Sequence, residues 1–252
     1  MEATGTAAAT PGADAPVIDL LQLYPRDMNI YGDWGNVQVL RKRLQLRGFQ
    51  VHLHEYNPGD EFPGQVDLIV GGGGQDSGQN KIQADLLARG GRLRELAEDG
   101  VPMLMICGLY QLFGNFFRTH TGDVIKGIGL LNVDTVAGPT RLIGNTVIES
   151  SEFGTVIGYE NHSGQTFLKE GVQPLGTVTK GEGNNGQDAT EGARYRNVVA
   201  SYLHGSLLPK NPAVADFLIR NAVLRRYGSF DDTPLQVPYE AQARLDAAAR
   251  PR

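Results

Sequence analysis

A single cysteine among 252 residues rules out an internal disulfide framework and any zinc site built from several thiolates. Such sparing use of thiols fits a reducing cytosol. No stretch reaches the roughly 18 consecutive apolar residues that a membrane-spanning helix needs. Positive charge is not in excess either. Lys and Arg number 23 against 28 Asp and Glu, a formal net charge of −5, so no chain-wide basic face for nucleic acid is indicated. The opening residues, MEATGTAAATPGADAP, lack the basic and apolar regions of a signal peptide. Residues 1–16 are expected to form a disordered tail. Neither a P-loop nor an ATP-grasp pattern is visible, which leaves any ATP chemistry to another chain.

What is present suits a globular domain with a proper core: 40% hydrophobic and 20% charged residues. Apolar runs at 17–25, 66–74 and 101–107 read as buried strands. FQVHLHEYN (49–57) alternates apolar and polar residues, as a strand near a sheet edge does. Between these strands lie helical patterns. One carries Val37, Leu40, Leu44 and Leu46, with Asp33 and Asn36 as candidate N-caps and Gly48 as its stop. A second spans 81–100, where Gly90-Gly91 marks a potential break, and a third begins in GLYQLFGNFF (108–117). This alternation argues for parallel βαβ units. From Gly127 to Tyr202 the pattern changes to short strands, turns and many glycines, before a final helix over 212–226. One α/β domain over 17–228 is expected, followed by a tail or short helix over 229–252.

Cys107 ends an apolar strand and precedes a helix. A strand–nucleophile–helix turn exposes a side chain at the carboxyl end of a strand and places it at a helix N-terminus, where free N–H groups favour a thiolate. The N–H of Gly108 can then face a developing oxyanion. The glycine loop GGGGQD (71–76) also follows a buried strand, so in a parallel sheet it emerges at the same edge. It matches neither the P-loop nor the dinucleotide fingerprint. A buried free cysteine is also an ordinary core residue, so a base is needed to distinguish the two readings. Of five histidines, His52 and His54 lie on the edge strand and His120 in a polar loop. His204, at a strand end before a glycine, fits a cleft best; His162 is the second choice.

ICGLYQLFG, VGGGGQD, IYGDWGNVQVLRKR, GYENHSGQT, KGEGNNG and YLHGSLLPKNP together resemble the class I, triad-type glutamine amidotransferase domain of the cobyric acid synthase kind, over about residues 17 to 226. The resemblance implies a flavodoxin-like α/β fold with a mostly parallel central sheet. It implies hydrolysis of L-glutamine to glutamate and ammonia, with Cys107 as nucleophile and His204 as base. Arg141 would bind glutamine, and Gly72, Gly73, Gly74 and Gly108 would line the oxyanion side. Within the family, the stand-alone glutaminase subunits of cell-wall synthesis are most similar. They imply a heterodimer with a Mur-ligase-like synthetase (MurT) that uses ATP to activate the D-glutamate of lipid II for conversion to D-isoglutamine. No cofactor or metal is then expected in this chain, nor a direct membrane anchor. A cytoplasmic location follows, peripheral to the inner membrane face through the complex. A corrinoid or other carboxylate as acceptor, or a non-catalytic scaffold role, are the alternative readings. Two positions depart from the family pattern. Leu109 stands where close members often have glycine, which predicts a tighter pocket floor. Ser206 stands where many class I enzymes have a glutamate, leaving Glu160 as one candidate to orient His204.

Overall fold

The computed structural model of the chain describes residue 12 and residues 14–250, so most of the expected N-terminal tail lies outside the described residues. The first half runs β1 (Val17–Leu23), α1 (Trp34–Leu46), β2 (Gln50–Tyr56), β3 (Leu68–Gly71), α2 (Asp76–Glu98), β4 (Met103–Ile106) and α3 (Gly108–Phe113). The second half runs β5 (Phe116–Arg118), β6 (Val124–Lys126), β7 (Val133–Ser150), β8 (Gly154–Leu168), β9 (Gly176–Lys180), β10 (Thr190–Glu191), β11 (Ala193–Tyr195), β12 (Val198–Ser201), α4 (Pro212–Tyr227) and α5 (Glu240–Ala249).

The central sheet has the order β11-β12-β4-β3-β1-β2. Every pairing in it is parallel except β11 with β12. β3 and β4 are fully buried, which is why they read as continuous apolar runs. The alternating strand, β2, sits at the edge as its pattern predicts. α1 buries Val37, Leu40 and Leu44, spaced to share one face, and Gly48 follows it with a φ of 84°.

Three expectations are corrected. α2 is unbroken through Gly90 and Gly91 and starts five residues earlier than its apolar pattern. Gly90 is small for a tertiary reason: a Cβ there would lie 3.1 Å from Ile128 Cγ2. α3 stops at Phe113, because Gly114 turns extended and β5 begins. The short strands of the second half fuse into two long ones. β7 and β8 pair antiparallel along most of their length, with an irregularity between Ala137 and Leu142. They anchor a second, largely antiparallel sheet ordered β10-β9-β7-β5-β6. α5 docks on the domain: Arg43 of α1 pairs with Glu240 at 2.5 Å, and Arg244 donates to the carbonyl of Lys210.

Candidate active site

Because β1, β3, β4 and β12 run parallel, their carboxyl ends deliver four connections to one edge of the sheet. That edge is where open α/β sheets form their crevices. The connections carry Tyr31 and Asp33 after β1, the glycine loop after β3, Cys107 after β4 and His204 after β12.

Cys107 occupies the turn from β4 into α3 with φ 49° and ψ −102°, a left-handed conformation that non-glycine residues adopt rarely and that recurs where a side chain must be presented at a site. Its N–H donates to the Ser201 carbonyl at 2.9 Å and its carbonyl accepts from Gln111 N–H at 3.0 Å, so tertiary contacts hold the strained turn. Cys107 is only 4% exposed. Burial pushes its pKa well up, and nearby Asp33 adds to this; Arg141 and the Gly108 N–H act in the opposite direction.

The glycines are small because backbone and side chains press on them. A Cβ on Gly72 would meet the Met28 carbonyl at 2.3 Å, and one on Gly108 would meet Gly74 N at 3.0 Å. The loop and the Cys107 turn therefore touch backbone to backbone. A Cβ on Gly73 would sit 2.9 Å from His204 Cε1, 3.2 Å from Cys107 Cβ and 3.2 Å from Tyr31 Cδ2. Gly73 is thus the point where the Cys107 side chain, the His204 imidazole and the Tyr31 ring converge. Its N–H donates to Asp33 Oδ2 at 2.7 Å. Asp33 starts α1 yet makes no side-chain cap; its carboxylate, pushed up to about 6 by burial, is spent on this loop. Asn36 likewise accepts from Leu208 N–H.

His204 is 2% exposed, and its backbone N–H donates to the Tyr159 carbonyl at 2.8 Å. Neither ring nitrogen has a hydrogen-bond partner among the described residues. Burial first, then His162, Arg141 and Lys210, pull its pKa down to about 3, so the imidazole rests neutral. Ser206, two residues on, donates to the Gly32 carbonyl instead of serving His204. The Glu160 carboxylate accepts the N–H groups of Glu182 and Gly183, so it does not orient His204. His162 is engaged elsewhere: Nδ1 lies 2.6 Å from the Gly164 carbonyl and the ring stacks on Tyr202. Leu109 is buried and faces Gly71 and Met105, so it leaves the cavity walls untouched, contrary to the expected tighter floor.

Arg141, from distant β7, reaches the same place. It donates to Asn161 Oδ1 at 2.6 Å and to the Tyr31 hydroxyl at 2.7 Å. A cavity of about 290 Å³ is lined by Cys107, Gly74, Gln111, Arg141, Asn161 and His162, among others. A second, of about 310 Å³, opens beside His204 and Lys210; Tyr31 and Asn161 border both. Cys107, His204, Arg141 and the glycine loop therefore gather at one crevice, and His52, His54, His120 and Leu109 do not line it. Tyr31 and Asn161 were not singled out, although IYGDWGN and GYENHSG contain them. Among the described residues no group of three or more His, Cys, Asp or Glu could hold a metal ion, and no helix is long and apolar enough to cross a membrane. A thiol with the Gly108 N–H beside it, an imidazole and a guanidinium can carry nucleophilic attack on the carbonyl of an anionic substrate.

Known proteins share this arrangement of chain. The description "CobB/CobQ-like glutamine amidotransferase domain" fits residues 19–212. The chain is 38% identical over 227 residues to the "Lipid II isoglutaminyl synthase (glutamine-hydrolyzing) subunit GatD" of Staphylococcus aureus, covering 88% of this chain and 93% of that protein. It is 35% identical over 214 residues to the subunit of the same name from Streptococcus pneumoniae, covering 84% and 82%. A cobyric acid synthase of Jannaschia is 31% identical over 209 residues, which span 79% of this chain and 40% of that longer protein. Among solved structures, a glutamine amidotransferase shares the fold with a TM-score of 0.57 at 17% identity, covering 80% of this chain and 98% of that one. A match of this extent, over a parallel sheet with a cysteine at its strand–helix turn, means that the chain belongs to the CobB/CobQ-like glutamine amidotransferase family.

Proposed function

We propose that this chain is the glutaminase subunit of a lipid II isoglutaminyl synthase. It hydrolyses L-glutamine to glutamate and ammonia. A Mur-ligase-like synthetase, MurT, would receive the ammonia and use ATP to amidate the D-glutamate of lipid II to D-isoglutamine. The observation that carries the reading is the convergence of Cys107, His204 and Gly73, with Arg141 on the wall of the cavity that holds Cys107. The names of the Staphylococcus aureus and Streptococcus pneumoniae relatives point to the same acceptor.

The chemistry follows from the resting charges. Burial raises the thiol pKa and lowers that of His204, so both start neutral. His204 takes the thiol proton as the sulfur attacks the side-chain amide carbon of glutamine. The N–H of Gly108 and a glycine-loop N–H other than that of Gly73, which Asp33 holds, receive the oxyanion; one such donor is typically worth about 3 kcal/mol. His204 returns the proton to the departing nitrogen, and ammonia leaves a thioester on Cys107. Water, deprotonated by His204, cleaves the thioester and releases glutamate. Arg141 pairs with the substrate α-carboxylate through its planar fork. Its present hydrogen bonds go to neutral groups, which leaves its charge available.

The test is release of glutamate and ammonia by the full chain and by Cys107→Ala, with and without the Mur-ligase-like synthetase. We expect hydrolysis that is abolished in the variant and raised by the synthetase, and amidated lipid II when ATP is added. Folded protein that releases no ammonia under either condition would return the scaffold reading. Hydrolysis with no lipid II product, but with amidation of a corrinoid carboxylate, would transfer the chain to the cobyric acid branch.

A further inference from the structure

A base in this type of chemistry is usually oriented by a hydrogen bond from a third group. His204 has none among the described residues: both ring nitrogens lack partners there, Ser206 turns to Gly32 and Glu160 to the 182–183 backbone. The terminal torsion of a histidine is broad, so an imidazole without hydrogen bonds needs a surface to fix its plane. That surface is Tyr31. Its ring lies 4.3 Å from the His204 ring, centroid to centroid, at an interplanar angle of 48°. The other end of the same side chain accepts a hydrogen bond from Arg141 Nη2 at 2.7 Å. Tyr31 also presses on the Gly73 position shared by His204 and Cys107, and it borders both cavities.

We propose that Tyr31 is a positioning residue for the hydrolysis, acting through two separable contacts. Its ring fixes the His204 imidazole against Gly73, beside Cys107. Its hydroxyl holds the Arg141 guanidinium at the cavity wall, ready for the substrate carboxylate. One side chain thus ties the residue that recognises glutamine to the base that consumes it. The inference rests on the glutaminase reading above and assigns a role that neither the fold nor the glycine loop supplies.

The two contacts separate by substitution. Tyr31→Phe keeps the ring and removes the hydroxyl; Tyr31→Leu removes both. Each variant is assayed for glutamine hydrolysis beside the wild-type chain, under whichever condition, with or without the synthetase, supports wild-type turnover. For Tyr31→Phe we expect the glutamine KM to rise roughly threefold to tenfold, the loss of about one hydrogen bond, with a smaller change in kcat. Tyr31→Leu should show the same KM and a further fall in kcat of about tenfold. The rate of Cys107 alkylation by iodoacetamide, read without substrate, should fall in the leucine variant only. Equal kcat in the two variants would overturn the role of the ring. An unchanged KM in Tyr31→Phe would overturn the role of the hydroxyl, and this variant keeps the packing volume should leucine not fold. An inactive wild-type chain would instead sink the glutaminase reading itself.

Discussion

At the scale of single residues, the crevice is built from groups held against their solution preferences. Cys107 accepts an unfavourable backbone conformation, and its thiol is buried beside an acidic side chain. Asp33 illustrates how local and tertiary demands compete. Its position before α1 reads as a cap, but its carboxylate takes the buried Gly73 N–H instead. Asp33→Ala would leave that N–H buried without an acceptor. The expected cost is about 2 kcal/mol of stability, checked by urea unfolding, together with a fall in glutamine turnover as the loop loosens. Asp33→Asn, whose amide oxygen can still accept, should lose less on both measures.

At the scale of elements, the glycine loop and α2 show two opposite uses of glycine. Gly73→Ala would force a methyl group into the space where His204 and Cys107 meet. We expect a roughly hundredfold loss of glutamine hydrolysis, the cost of displacing a reacting group by about 1 Å, from a chain with an unchanged circular dichroism spectrum. Within α2, Gly91 has open space where a Cβ would go, whereas Gly90 packs on Ile128. Gly91→Ala should therefore stabilise the fold by about 0.5–1 kcal/mol, measured by denaturant unfolding, and Gly90→Ala should gain less or lose. The GG dipeptide marks a break in a propensity argument. The helix persists because its apolar face, including Ile82, Leu86, Leu93 and Leu96, is buried on both sides of the pair.

At the scale of the whole molecule, buried titratable groups set the dependence of stability on pH. Burial lowers His204 to about 3 and His162 to about 4, so the unfolded chain binds more protons than the folded one from about pH 6.5 downward. Stability from these two is present at neutral pH and falls as the solution becomes acid. Glu191, buried against the Tyr202 N–H and Ser201, is raised to about 8, and Asp33 to about 6. Their folded forms hold extra protons, so their contribution is full below the ordinary carboxylate range and is lost as pH rises through those values. The melting temperature should be nearly flat between about pH 4.5 and 6.5, where the two effects oppose each other. It should decline on either side. In Glu191→Gln the decline from about pH 6.5 to 8 should disappear. Its persistence would mean that another group titrates there.

The sequence by itself determined the α/β class, the parallel half of the sheet, the edge position of β2, and the location of Cys107 between a buried strand and a helix. These are local properties: periodicity, burial of whole strands and the chemistry of a turn are written in neighbouring residues. The sequence also brought forward His204, Arg141 and the glycine loop, through motifs rather than through any visible contact. Only the tertiary structure decided what those residues touch. It fused the short strands of the second half into β7 and β8, turned Leu109 into the core, sent Asp33 to the glycine loop and set Tyr31 between His204 and Arg141. Each of these depends on partners that lie far apart in the chain, and no periodicity within one segment specifies which distant segment will arrive to meet it.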